Sequence, residues 1–234
     1  MKLASVQWAS LIDFPGRVAA VVWTAGCNFR CPFCYNPELV LPERVADLPT
    51  VPLEGFWDGL GKRREFLDGL VITGGEPTLQ PDLADFLREV RAGGLAVKLD
   101  TNGSRPRVLG QLLAAGLVDY VALDVKAPFP RYQEFTGADE AACRKAWESV
   151  DQLRNWEGDY ELRTTVAPGL GPDDLAAVAQ AVAGARRYVL QPFFVPPGKE
   201  LIDPLWRSRP HLGREELAQL APRLGRWVSC RVRG

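Results

Sequence analysis

The sequence predicts an α/β fold, a partial (βα)6 barrel whose parallel sheet is open on one side. Three observations predict it. Short, β-rich apolar runs alternate with amphipathic stretches along the chain. From the second to the fifth run, each strand is followed by a helix before the next strand, the pattern of βαβ units with right-handed crossovers. Six such strands are too few to close an eight-stranded barrel.

The predicted strands are residues 18–24, 70–73, 96–100, 120–125, 160–166 and 188–191. The second ends in Gly74-Gly75, the third in Thr101-Asn102-Gly103, the fourth at Lys126, the fifth in Ala167-Pro168-Gly169 and the sixth in Pro192. Helices are predicted over 81–91, 107–115, 140–155, 173–183 and 214–224. In the first of these, Leu83, Phe86, Leu87 and Val90 recur at helical spacing. The Pro-rich stretch 41–52 reads as a surface connection. Residues 193–210, with Pro196-Pro197-Gly198, form the longest irregular stretch and read as a lid or partner-binding loop. In either an open barrel or a doubly wound sheet, function sits at the carboxyl ends of the strands. The chemically unusual residues fall there.

The chain has 234 residues, 47% of them hydrophobic, enough for one sizeable core and a single domain spanning 1–234. The net charge of −1 and pI of about 6.0 give no basic footprint for nucleic acid. No apolar run approaches the roughly 20 residues of a membrane span. No basic segment followed by an apolar core opens the chain. A cytoplasmic protein is expected, and a reducing compartment suits cysteines used for metal or redox work.

Three of the five cysteines fall within Cys27-Asn28-Phe29-Arg30-Cys31-Pro32-Phe33-Cys34, directly after the first predicted strand. Three thiols on one tight loop cannot all pair as disulfides, but they can face a common centre. Structural zinc takes four ligands, and the remaining Cys143, Cys230 and His211 are each isolated in sequence. An electron-transfer ferredoxin also takes four cysteines per cluster. Three cysteines for four irons leave one iron open to a substrate. A zinc site and a purely structural loop are the other readings. Cys143 and Cys230 read as buried packing residues, and His211 as an ordinary surface histidine.

The spacing CxxxCxxC, with Phe33 before the last cysteine, resembles the signature of the radical S-adenosylmethionine (AdoMet) enzymes. Gly74-Gly75-Glu76-Pro77, Asp100-Thr101-Asn102-Gly103 and Asp124-Val125-Lys126 match further strand-end motifs of that superfamily. Leu11-Ile12-Asp13-Phe14-Pro15-Gly16, Ala25 through Leu39, Leu123 through Pro128 and Arg163-Thr164-Thr165-Val166 are similar to glycyl-radical-enzyme activating enzymes. The likeness is strongest to those that activate anaerobic ribonucleoside-triphosphate reductase. Tyr35 stands where many relatives have His, and the ferredoxin-like cysteine insert of some activating enzymes is absent.

The resemblance implies one 4Fe–4S cluster on Cys27, Cys31 and Cys34, with the open iron taking the amino and carboxylate groups of AdoMet. Reductive cleavage would give a 5′-deoxyadenosyl radical that abstracts hydrogen from a glycine of a partner glycyl radical enzyme, with a flavodoxin or ferredoxin-type protein as electron donor. Gly74 and Gly75 would let backbone approach the cofactor, and Glu76 would face the AdoMet ammonium. Lys126 and Arg163 would meet its carboxylate, and Asp124 the ribose or a cation. Asp100 and Thr101 resemble a cation-site pair, which places a possible monovalent cation near Asp100 and Asp124. Phe33 and Tyr35 would contact adenine or shield the cluster. Thr101, Asn102 and Gln191 complete the expected cofactor site. The competing functions are a small-molecule radical enzyme, such as a 7-carboxy-7-deazaguanine synthase, and a metal-binding interaction protein without catalysis.

Overall fold

The computed structural model describes residues 1–234. The chain has an α/β fold on a mostly parallel, open sheet, and it divides into two compact units. The first comprises 1–28, 38–101 and 107–121, and the second 29–37, 102–106 and 122–234.

In the first unit, β1 (Leu3–Ser10) runs antiparallel to β2 (Ala19–Thr24), with Val6 opposite Val22. After the short helices α1 (Pro37–Val40) and α2 (Pro42–Ala46) come α3 (Leu53–Gly61), β3 (Gly69–Gly74), α4 (Leu83–Ala92), β4 (Ala96–Thr101) and α5 (Pro106–Ala114). β2 pairs in parallel with β3, and β3 with β4, so that Val21, Val71 and Lys98 share one rung. β2 is almost continuously apolar and buried, as a strand covered on both faces must be. The sequence reading has no strand at β1 and no helix at α3. β1 alternates half-buried Ala4, Val6 and Trp8 with exposed Ser5, Gln7 and Ala9, the pattern of a half-covered edge. What covers it is aromatic: Trp8 stacks on Phe56 of α3 at 6.1 Å, and Phe56 meets Phe86 of α4 at 5.3 Å. This packing holds α3 helical despite Gly55 and Gly59 within it.

β5 (Tyr120–Asp124) contains the division point. The second unit then adds α6 (Tyr132–Thr136), α7 (Glu140–Arg154), β6 (Asp159–Val166), α8 (Pro172–Ala181), β7 (Tyr188–Pro192), α9 (Arg214–Leu224) and β8 (Cys230–Val232). β6 and β7 pair in parallel, as do β7 and β8. The three-residue β8, a further strand beyond the predicted six, follows the last predicted helix. It is secured just past its end, where the Arg233 guanidinium spans both carboxylate oxygens of the fully buried Glu161. A bidentate partner is what makes a buried carboxylate tolerable. α8 and α9 each start at a glycine whose N–H donates to a carboxylate three residues on: Gly171 to Asp174 at 3.0 Å, Gly213 to Glu216 at 2.8 Å. No helix of the chain is long and apolar enough to cross a membrane.

Candidate functional site

In the first unit, the turn after β3 is built onto the segment that leads to Cys27. Gly75 N–H donates to Thr24 O at 2.9 Å, Glu76 N–H to Gly26 O at 2.8 Å, and Gly26 N–H to Leu39 O at 2.8 Å. A Cβ on Gly74 would lie 2.3 Å from Thr24 N, and one on Gly75 would lie 2.1 Å from Gly26 O. Gly74 also has φ +122, a conformation that favours glycine. The sequence reading assigns these glycines to close approach of a cofactor. The structure shows that neighbouring backbone already demands both.

Glu76 has no exposed surface. One of its oxygens, Oε1, accepts from Thr78 N–H at 3.1 Å and from Thr101 Oγ1 at 2.7 Å. Oε1 therefore ties the β3 turn to the end of β4; the expectation for Glu76 is to face a ligand ammonium. Thr101, expected as a cofactor contact, is the donor of that tie and is itself buried. On the neighbouring residue, the Asp100 carboxylate accepts from the Lys98 ammonium, which is only 2% exposed.

In the second unit, Cys31 is buried and Cys34 half-buried, and Cys34 N–H closes a turn onto Cys31 O at 3.0 Å. Arg30 N–H donates to Thr136 O at 2.7 Å, which pins the start of this loop to α6. Phe33 is buried against Phe135 and Trp206, at 6.3 and 6.0 Å. Tyr35, by contrast, is 38% exposed.

At the end of β5, Asp124 accepts from two cations. The Lys126 ammonium meets Oδ2 and the Arg163 Nε meets Oδ1, both at 2.9 Å. Burial alone would raise the Asp124 carboxyl, but the Arg163 and Lys126 charges outweigh it and hold it down at about 2. For Lys126, burial pulls downward, yet the charge of Asp124, assisted by that of Cys31, pushes the ammonium well above its ordinary range. Lys126 thus stays charged within electrostatic reach of Cys31.

Tyr132, which no motif marks, braces the same strand end. Its buried hydroxyl donates to Asp124 O at 3.3 Å and accepts from Lys126 N–H at 3.4 Å. Only the fold brings it there. Asn102 Oδ1 accepts from Ser104 N–H at 2.9 Å, so its side chain shapes the turn after β4. Gln191 is half-buried on β7, in register with Thr165. His211 sits exposed, edge-on to Phe193 at 5.5 Å.

None of the five cysteines is part of a disulfide. Burial raises the Cys143 thiol, and raises that of Cys230 to about 11, which suits inert packing. No three His, Cys, Asp or Glu side chains are gathered tightly enough to hold a single metal ion. The 27–34 loop carries three cysteines outside any disulfide, with a cationic lysine near Cys31, and this donor chemistry fits an iron–sulfur cluster.

The chain belongs to the radical SAM superfamily, whose family model matches residues 21–182. Membership implies a 4Fe–4S cluster and AdoMet. Among relatives, it is 33% identical over 216 residues to a Methanocaldococcus jannaschii protein whose naming as a glycyl-radical enzyme activating enzyme is itself provisional. That match covers 90% of this chain and 86% of the relative. It is 30% identical over 138 residues to the pyruvate formate-lyase-activating enzyme of Listeria monocytogenes, covering 53% of each protein. Among solved structures, Streptococcus suis SuiB bound to its precursor peptide SuiA superposes with a TM-score of 0.66 at 13% identity, covering 92% of this chain and 48% of that one. That likeness is one of fold.

Proposed function

We propose that the chain is a radical-generating activating enzyme, with residues 1–234 acting as one radical SAM domain. Cys27, Cys31 and Cys34 would ligate three irons of the cluster. Lys126 and Arg163 would attract the AdoMet carboxylate, with Asp124 holding both cations in place. Tyr35 and Gln191 are proposed to border the nucleoside. Phe33 and Glu76 act from behind, as packing and as a tie between strand ends. Bound together, the cluster and AdoMet supply reductive C–S cleavage and hydrogen-atom abstraction. The observation that carries the reading is the loop of three cysteines outside any disulfide, with charged Lys126 near Cys31.

The proposed substrate is a backbone glycine of a partner glycyl radical enzyme, with anaerobic ribonucleoside-triphosphate reductase as the first partner to try. The M. jannaschii and Listeria relatives support this class. A flavodoxin or ferredoxin-type protein would deliver the electron. The test is electron paramagnetic resonance on the reduced, reconstituted chain mixed with AdoMet and an anaerobic ribonucleotide reductase. A glycyl doublet is expected, and it disappears when the partner's glycine is replaced by alanine. If no glycyl radical enzyme acquires a radical, and deoxyadenosine accumulates only with a small substrate such as 6-carboxytetrahydropterin, the activating role is wrong.

A further inference from the structure

We propose that residues 201–208 are a clamp that fixes the Cys31–Cys34 turn, with Trp206 as its main positioning side chain. The inference rests on the cluster reading of these cysteines. The segment lies in the irregular stretch 193–210, which the sequence marks as a lid or docking loop. Its middle is instead bonded to the cysteine turn. Ile202 N–H donates to Cys34 O at 3.0 Å and Asp203 N–H to Pro32 O at 2.9 Å. These two bonds take up carbonyls on either side of Phe33.

Directly after them, Asp203 caps a 3-10 turn, Pro204–Ser208, by accepting from Leu205 N–H at 3.0 Å. That turn aims Trp206 inward. Its ring meets Phe33 at 6.0 Å and Phe135 at 5.2 Å, and the residue is 3% exposed. The Arg209 guanidinium lies over the same ring, 4.3 Å from its centre. Leu201, at the start of the segment, is buried too. Leu205 of the same segment is 72% exposed, but Leu201 and Trp206 are already buried, as a lid awaiting closure would not leave them. The Cys31–Cys34 turn therefore has three supports: α6 through Arg30, the backbone of 202–203, and the Phe33–Phe135–Trp206 stack. The 202–203 backbone and Trp206 come from a segment about 170 residues further along the chain. For thiolates that must hold three irons at fixed spacing while the fourth stays open, such bracing slows ligand loss.

The test uses the full chain with and without iron. In metal-free protein, the rates of iodoacetamide alkylation at Cys31 and Cys34 are read by mass spectrometry, with Cys27 as internal reference. Trp206→Ala should raise both rates relative to Cys27 by about tenfold, as expected for easier local opening. Trp206→Phe should recover most of the protection. Phe194→Ala, on an exposed side chain of the same stretch, should change nothing. In reconstituted protein, Trp206→Ala should release iron to a chelator correspondingly faster. Circular dichroism establishes that each variant is folded. If Trp206→Ala does not fold, Asp203→Ala, which removes the cap that aims Trp206, is judged by the same two rates. Unchanged alkylation and iron release in a folded variant overturn the clamp. A wild-type chain that takes up no iron overturns the cluster reading instead, and the alkylation rates still decide on the clamp.

Discussion

Gly75→Ala is the sharpest test of how the β3 turn supports the cysteine loop. The added Cβ would lie 2.1 Å from Gly26 O, 2.6 Å from Gly26 C and 2.9 Å from Leu39 O, all backbone atoms. No rotamer change relieves such an overlap, so the Gly26 peptide must retreat by about 1 Å to reach ordinary contact distance. Overpacking of this kind costs about 1–3 kcal/mol. The same retreat strains two hydrogen bonds, Glu76 N–H to Gly26 O and Gly26 N–H to Leu39 O. Each is worth about 1 kcal/mol. The expected loss is about 3–5 kcal/mol, measured as the shift in urea midpoint of the metal-free chain. Because Gly26 directly precedes Cys27, iron uptake on reconstitution should fall as well. Gly26→Ala is the control: no atom lies within 4 Å of its Cβ, and only the φ of +99 is unfavourable. That strain costs about 1–3 kcal/mol. A Gly75→Ala chain that loses less than about 1 kcal/mol and still loads iron fully would refute the reasoning.

Three other outcomes are expected. Lys126→Ala removes one charge-assisted contact worth about 1.5–3 kcal/mol, so AdoMet affinity measured by anaerobic calorimetry should drop by roughly 10- to 100-fold; an unchanged affinity moves the carboxylate site elsewhere. Asp124 is depressed to about 2, so its contribution to stability is complete above its ordinary value near 4 and is lost as pH falls toward 2. The stability gap between the wild-type chain and Asp124→Asn should accordingly be constant above pH ~5 and shrink below pH ~4 in acid titrations. Lys98 already supplies a buried cation to Asp100, so wild-type melting should be the same in potassium and in choline chloride. Lys98→Met should be destabilised and partly rescued by potassium alone; a wild-type chain that itself requires potassium contradicts this pairing.

Much of the fold was legible because buried parallel strands announce themselves as short apolar runs. Residues 96–100 and 188–191, read from the sequence, lie within Ala96–Thr101 and Tyr188–Pro192. Elements held by distant partners were not legible. β1 shows only three half-buried side chains, and Trp8 has meaning only once α3 lies on it. β8 is three residues long and depends on pairing with β7 and on the Glu161–Arg233 pair beside it. The candidate site divides in the same way. Spacing alone marked the cysteines and the strand-end glycines. It could not show that Phe33 is enclosed by Phe135 and Trp206, that Thr101 donates to Glu76, or that Tyr132 braces Asp124. Each depends on residues that meet only in the folded chain.

The acids near the strand ends differ in how they are neutralised, and the difference singles out one of them. Glu76 is met by hydroxyl and N–H donors from Thr78 and Thr101. Asp100 is matched by one lysine, and Glu161 by one arginine that spans both its oxygens. Asp124 instead draws in both Lys126 and Arg163, so the three side chains carry one more positive charge than negative. A structural ion pair gains little from a second buried cation, whose desolvation is expensive. A second cation at the end of β5 is useful where an anion must be attracted. Replacing Arg233 should cost stability and leave AdoMet affinity alone, whereas replacing Lys126 should cost affinity more than stability.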